Sequence, residues 1–394
     1  MLPRTLPCRR QTLSRAVNTI RTRGIKVLAL ESSADDTCAA VLDDEKVLAN
    51  VVIKQHAINA QYGGIYPYAA IEAHQKNMAS RGSLAPSAIR RALSESGVRL
   101  SELDGIAFTR GPGMGGCLGV CTNAGKAIAA ALDKPIVGVH HMQAHALTAL
   151  FTSPKGTPVK FPFLTLLISG GHTMIVLATS LNSFEILADT RDSAIGRAFD
   201  KVARSLEIES GDTHLGAALE AFCSEDSTES ASSGPPLKFS RCMPGKLAFS
   251  YGGLHSQVDR YLENHGGVQN LDVDHRRVVA RAFQEAAAEQ LAEKLKLALD
   301  QCLRRGLQVG DVVASGGVAS NTYIRRKLHA LVKKYDGVAV NFPPPSLCTD
   351  NAVMIGWASL HRFRAKDYDD YSINPMSKWS IEDLTSTDSS NPAS

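Results

Sequence analysis

The sequence predicts an α/β protein of two similar lobes around a central cleft. Three observations predict it. Apolar strand-like runs alternate with helix-period segments along most of the 394 residues, the pattern of sheets covered by helices. A strand–turn–strand–turn–strand unit occurs twice, in "IKVLALESSADDTCAAVLDDEKVLANVV" and in "FPFLTLLISGGHTMIVLATSLNSFEILADT". Each unit is followed by helical crossovers with Gly-rich turns at strand-to-helix junctions. Two such halves face each other across a cleft, where ligands bind at the loops leaving the strands.

The first unit reads as a strand over Lys26 to Leu30, a tight polar turn over Ser32 to Thr37, and two further strands joined by an Asp-Asp turn. "YAAIEAHQKNMASRGSLAPSAIRRALSESGV" is mainly helical, and the stretch from Leu103 to His140 gives strand, Gly-rich turn, helix, strand. In the second unit the tight turn is "SGGHT", Ser169 to Thr173. A long helix runs from Arg276 with apolar residues at spacings of three and four, and Gly306 stands past its end. "DVVASGGVASN" is a strand and a glycine turn opening a helix. The last helix lies in "CTDNAVMIGWASLHRFRA", with Thr349 or Asp350 near its start.

These elements divide the chain into a leader (1–24), a first lobe (25–140), a second lobe (141–365) whose last helix returns to the cleft, and a C-terminal extension (366–394) with a disordered end. Residues 224–236, polar and of low complexity, are a surface insertion.

The formal net charge is +4, of which the first 26 residues, with six Arg, one Lys and no acid, contribute +7, so the remainder carries −3. An Arg-rich, acid-free leader without an apolar stretch has the composition of a mitochondrial transit peptide. The near-neutral body does not advertise nucleic-acid binding by bulk charge. A local patch would have to serve, and Arg90–Arg91, Arg276–Arg277, Arg304–Arg305 and Arg325–Lys327 are the candidates. No run of 18 apolar residues is present, so no membrane span is expected. Eight Cys without a C-x-x-C pair indicate reduced thiols, with Cys117 and Cys121 packed inside a helix.

The chemistry concentrates in four turns. "ESSADDT" and "SGGHT" occupy equivalent places in the two units, and turns of small residues offer backbone N–H groups to an anion. "RGPGMGGCLGV" resembles a phosphate loop only loosely. Five residues separate Gly119 from Gly125-Lys126 and Ala127 replaces the needed hydroxyl, so a P-loop is rejected and glycine packing competes with anion binding. Gly316 and Gly317 of "SGGVASN" allow close backbone approach, with Asn321 available to a nucleoside. In "HHMQAH", His141 and His145 share one helix face. A zinc protease needs a Glu after the first His, but Met142 stands there. The pair can still bind metal with a third ligand such as Asp350, against the alternative of buried structural histidines. His140, His172 and His255 read as structural or orienting.

Taken in order, "ESSADDTCAAV", "GPGMGGCLGV", "HHMQAH", "LLISGGHT", "AFDKVAR", "FSYGGLHSQV", "SGGVASN" and "CTDNAVMIG" resemble the universal tRNA N6-threonylcarbamoyladenosine synthases, the TsaD family, over roughly residues 26–365. With the leader, the likeness is to the mitochondrial branch. The resemblance implies the actin/Hsp70/sugar-kinase fold and one divalent metal, with Fe, Zn and Mn all open. It implies transfer of threonylcarbamoyl from threonylcarbamoyl-AMP to N6 of adenosine 37 in tRNAs reading codons that begin with A. It places the metal on His141, His145 and Asp350, and substrate along Ser169, Gly170, Gly171, His172 and Thr173, with Asp200, Gly216 and Asn321 at the nucleoside side. The pattern departs at Leu215, where a glycine is usual, and at Asp36, where bacterial members have Glu. Asp35 or a metal-bound water is the candidate proton acceptor. A separate synthase must supply the adenylate, and monomer and homodimer both remain open. The alternatives are a kinase or ATPase of the same fold, a metalloprotease, and a non-catalytic RNA-binding protein.

Overall fold

The computed structural model describes residues 24–62, 64–79, 87–211, 213–225 and 236–384. The expected leader, apart from Gly24, most of the 224–236 insertion and the end of the C-terminal extension lie outside these.

The duplication is visible in the strand orders. β1 (Lys26–Glu31), β2 (Thr37–Asp43) and β3 (Lys46–Ile53) form an antiparallel meander, and β1 runs parallel to β4 (Gly105–Gly111), which runs parallel to β5 (Ile136–His140). The order is β3-β2-β1-β4-β5. In the second lobe β6 (Phe163–Ile168), β7 (Thr173–Ala178) and β8 (Phe184–Thr190) repeat the meander. After β9 (Ala248–Phe249), the strands β10 (Asp311–Ser315) and β11 (Ala339–Asn341) complete the order β8-β7-β6-β10-β11, with β9 added outside β8.

Helices α1 (His56–Tyr62), α2 (Pro67–Ala79), α3 (Ala88–Ser96) and α4 (Gly115–Leu132) belong to the first lobe. α5 (His141–Thr152) follows β5 directly. α6 (Ile195–Ser205), α7 (Leu215–Ser224), α8 (Gly252–Asn264), α9 (Val273–Arg304), α10 (Thr322–Val332) and the short α11 (Pro345–Cys348) cover the second sheet, and α12 (Ala352–Ala365) follows. None is long and apolar enough to cross a membrane among the described residues.

The period-two alternation of β1 decides where the cores lie. Leu28 and Leu30 pack with Ile106 and Phe108 under α3 and α4. Val27 and Ala29 point the other way, into a shared core with Met142 and Leu147 of α5, Met354 and Ile355 of α12, and Leu167 and Val176 of the second sheet. α5 and α12 are therefore sandwiched between the sheets. A third core, around Phe199 and Phe283, belongs to the second lobe.

Two helix starts differ in detail from expectation. α9 begins at Val273 with Asp272 as its cap, earlier than Arg276, and Gly306 follows its end at φ +72°. The cap of α12 is Asn351, whose side chain accepts the Met354 N–H at 2.9 Å, and not Thr349 or Asp350. That leaves the Asp350 carboxylate available to the cleft. Residues 366–380 fold back on the first lobe, and 381–384 reach β8, where the Ile186 N–H donates to Glu382 Oε1 at 2.8 Å. The Met376 N–H donates to the Arg110 carbonyl at 2.7 Å, and the Trp379 carbonyl accepts from His140 Nε2 at 3.1 Å. The seven described Cys are free, with Cys117 and Cys121 buried in α4.

Candidate metal centre and substrate cleft

The strand-to-helix junction after β5 sets the first two candidate ligand positions. His140 ends the strand and caps α5, its Nδ1 accepting from the N–H groups of Met142 and Gln143 at 3.2 and 3.3 Å. This caps two donors that a helix start leaves open. Burial pushes the His140 imidazole down to about 3, which keeps it a neutral acceptor. His141 and His145 then emerge on one face, ring centroids 4.8 Å apart and edge-on. Asp350 reaches them from just before α12. Its Oδ1 lies 3.0 Å from His145 Nε2 and 3.5 Å from His141 Nε2. The three ligand-type atoms lie within 4.8 Å of one another.

Two imidazole nitrogens and a carboxylate converging from two elements form a donor set suited to a divalent transition metal. The back of the set supports the same reading. His141 Nδ1 faces Glu31 Oε2 at 3.2 Å and Ser33 Oγ at 3.3 Å. A carboxylate behind a ligating histidine fixes its ring and tautomer. Glu31 is fully buried and also accepts from the Thr109 hydroxyl and the Ser33 N–H. Burial opposes charge on His141, but Asp350 and Glu31 outweigh it and raise its pKa to about 10. Burial likewise opposes charge on Asp350, and His141 and His145 override it, holding the carboxyl well below its usual range.

The rest of the "ESSADDT" turn lines the same cleft, near Asp350. Asp35 Oδ2 accepts from Asn59 Nδ2 of α1 at 2.7 Å. Burial, then the charge of Asp350, raises Asp35 to about 6. Burial and Asp35 raise the buried Asp36 to about 8. Met114 and the Gly-rich turn pack on the "ESSADDT" turn. The Met114 N–H donates to the Ser33 carbonyl at 2.9 Å, and a Cβ on Gly113 would stand 2.7 Å from that oxygen. Those glycines serve close packing.

The "SGGHT" turn closes the cleft from the second lobe. Ser169 Oγ accepts from Gly171 and His172 N–H at 3.3 and 3.1 Å, while Gly170 and Gly171 are exposed. Burial, with His141 and His145 next, drives the His172 pKa down to about 4, which places this turn against the histidine pair. Thr173 is buried, and its hydroxyl accepts the Ile195 N–H at 2.8 Å, anchoring α6. Asp200 Oδ1 accepts the Gly216 N–H at 3.0 Å, tying α6 to α7. Asn321 is buried as the cap of α10, accepting from Ile324 N–H at 2.9 Å and donating to Gln284 Oε1 at 3.3 Å. His141, His145, Asp350, His172 and Asp35 thus come together at one place, and Asp200 lies near enough to act on the charge of Asp35. The side chains of Thr173 and Asn321 are engaged by the scaffold. His255 sits away from this set, paired with Asp259 at 3.3 Å.

Sequence reasoning missed Glu31, Asn59 and Gly196. Glu31 carried a signal, a carboxylate at the end of a strand that is otherwise apolar. Gly196 carried none: a Cβ there would stand 2.8 Å from Gly170 N and Ser169 O, so its glycine is required by how α6 meets the turn.

Residues 46–357 match the family described as "TsaD: tRNA N6-adenosine threonylcarbamoyltransferase", whose members are metal-dependent. A relative from Arabidopsis thaliana, "Probable tRNA N6-adenosine threonylcarbamoyltransferase, mitochondrial", is 37% identical over 354 residues, covering 87% of this chain and 70% of the relative. Among solved structures, component A of the Acidaminococcus fermentans (R)-2-hydroxyglutaryl-CoA dehydratase superimposes with a TM-score of 0.50 at 16% identity, covering 86% of this chain and 98% of that one. HypF of T. kodakarensis gives 0.55 at 15% identity, covering 90% and 49%. These two show the fold, the two-lobed actin/Hsp70/sugar-kinase architecture. By the extent of the family match and the identity to the plant relative, the chain belongs to the TsaD family of tRNA N6-adenosine threonylcarbamoyltransferases.

Proposed function

We propose that the chain transfers the threonylcarbamoyl group from threonylcarbamoyl-AMP to N6 of adenosine 37 in mitochondrial tRNAs that read codons beginning with A. The observation that carries this reading is the convergence of His141, His145 and Asp350 beside the "SGGHT" turn. His141, His145 and Asp350 would hold one divalent ion, and the ion would supply Lewis-acid polarisation at the reacting group.

The protein's own groups do the rest. The exposed Gly170 and Gly171 of the turn let the donor lie close to the backbone, with His172 beside its carbamoyl group. Asp200 and the helix ends at Gly216 and Asn321 line the adenosine side. The N6 nitrogen of the tRNA adenosine attacks the carbamoyl carbon, the bond from that carbon to the AMP phosphate oxygen breaks, and AMP leaves with the electron pair. Asp35 takes the N6 proton. Its pKa of about 6 keeps it largely ionised at neutral pH yet close enough to serve as a base. The donor is already activated, so positioning and charge stabilisation carry most of the rate.

A peptidase reading lacks the base of the zinc-protease motif, because Met142 stands in the glutamate's position and is buried in the core between the lobes. A kinase reading leaves the histidine pair without a role. The mitochondrial assignment rests on the Arg-rich leader and on the printed name of the plant relative. The adenylate comes from a separate synthase, and the chain works alone or as a homodimer.

The test mixes the chain, threonylcarbamoyl-AMP and an unmodified tRNA of this class, and reads the modified nucleoside by mass spectrometry. Product with the wild type and none with His141→Ala/His145→Ala supports the reading. No product from the wild type, supplied with Fe, Zn and Mn in turn, overturns it.

A further inference from the structure

α6 starts at the substrate turn. Gly196 packs on the backbone of Ser169 and Gly170, and Asp200, one turn on, borders the cleft. Beside this face the helix carries Arg197, Lys201 and Arg204, all exposed, while Ile195, Ala198, Phe199 and Val202 are buried on the other side. At 3.6 residues per turn the three cations fall within about 60° of one another and span about 10 Å along the axis.

Their surroundings leave them uncompensated. None has a carboxylate within ion-pair distance among the described residues. The nearby Asp200 carboxylate, on which Arg204 and Arg197 act at longer range, is engaged by the Gly216 N–H. Lys201 lies towards His255 of α8. In each basic cluster singled out in the sequence one member is ion-paired, while Arg90, Arg304 and Arg326 are exposed without an ion pair among the described residues; α6 differs in that all three of its cations are unpaired and that it starts at the donor turn. Arg91 pairs with Glu95 at 3.4 Å, Arg277 with Asp274 and Glu225 at 2.6 and 2.8 Å, Arg305 with Glu185 at 2.8 Å, and Lys327 with Glu285 at 3.5 Å.

We infer that the Arg197–Lys201–Arg204 face of α6 is the landing surface for phosphates of the RNA substrate, next to the nucleotide whose base enters the cleft. The inference rests on the transferase reading above. Charge complementarity to a polyanion selects the occupant. Phosphate contacts set register and orientation without reading sequence, which suits an enzyme that must place one base of several different tRNAs. Because the same helix braces the donor turn at its first residues, a backbone held along α6 is positioned relative to the carbamoyl group by a rigid element rather than by a loop.

The experiment measures binding of an unmodified tRNA to the full chain over a salt series. It compares Arg197→Ala/Lys201→Ala/Arg204→Ala with a control of equal charge loss, Arg304→Ala/Lys333→Ala/Lys334→Ala. The α6 variant is expected to bind at least about tenfold more weakly at low salt, with the slope of log K against log salt shallower by about 2 to 3. The control is expected to stay within about twofold. A charge-preserving variant, Arg197→Lys/Lys201→Arg/Arg204→Lys, should retain binding, which separates charge from any disturbance of the helix. Unchanged binding by the alanine variant, or an equal loss in the control, overturns the surface while leaving the transferase reading intact. A wild type that neither binds nor modifies tRNA overturns both.

Discussion

His141 Nδ1 lies 3.2 Å from Glu31 Oε2, although the two residues are 110 positions apart. The contact joins the last residue of β1 to the first residue of α5, so the orientation of one proposed ligand is set by the first strand of the fold. A Glu31→Gln variant keeps the shape and removes the charge. It is expected to weaken metal affinity by about 10- to 100-fold, the usual effect of losing a carboxylate behind a ligating histidine. A competitive chelator titration reads this without reference to turnover, and unchanged affinity would remove Glu31 from the centre.

Metal removal separates the ligands from the rest of the cleft. Treatment with a chelator should abolish transfer by the wild type, and adding back Fe, Zn or Mn should restore it for at least one of them. In Asp350→Ala, add-back should fail at metal levels that restore the wild type. Restoration of that variant to wild-type turnover would exclude Asp350 as a ligand.

The raised pKa of Asp36 predicts a pH dependence of stability. In the unfolded chain the carboxyl ionises near 3.8, whereas burial in the fold holds its proton up to about 8. Between those values the unfolded state has released a proton that the folded state retains. Stability therefore falls as pH rises, by at most about 1.4 kcal/mol per pH unit from this group. Asp36→Asn should flatten the urea midpoint between pH 5 and pH 8 relative to wild type. Parallel profiles for the two proteins would show that Asp36 is ionised in the fold.

Gly196→Ala places a methyl group 2.8 Å from backbone atoms of Ser169 and Gly170. Backbone cannot rotate away as a side-chain tip can. The cost should be about 1–3 kcal/mol, the range for overpacking a close contact, read as a lower denaturation midpoint. Because the displaced atoms belong to the turn proposed to bind substrate, KM for the adenylate should rise in the same variant. A variant with wild-type stability and KM would mean that the turn accommodates the methyl freely.

Asp35→Asn tests the proton acceptor. The amide keeps the size of the side chain but accepts no proton, so kcat should fall by about 100-fold or more if Asp35 acts as the base. Adenylate affinity should change little. Full turnover would exclude the role.

Much of this protein was legible in the amino-acid order alone. Alternating apolar residues around two tight turns revealed the duplicated meander, because strand periodicity is local. The four-residue spacing of His141 and His145 put them on one helix face for the same reason. Family motifs, read in order, implied the reaction and named Asp350, which the structure indeed brings to His145 across 205 residues. Tertiary structure decided the rest. It put Glu31 behind His141 and α6 against the "SGGHT" turn. It engaged Thr173 and Asn321 in capping α6 and α10, and it paired one member of each basic cluster with a carboxylate while leaving all three cations of α6 without one. Each of these depends on which distant backbone or charge a side chain meets after the sheets and helices pack, and periodicity along the chain carries no information about that.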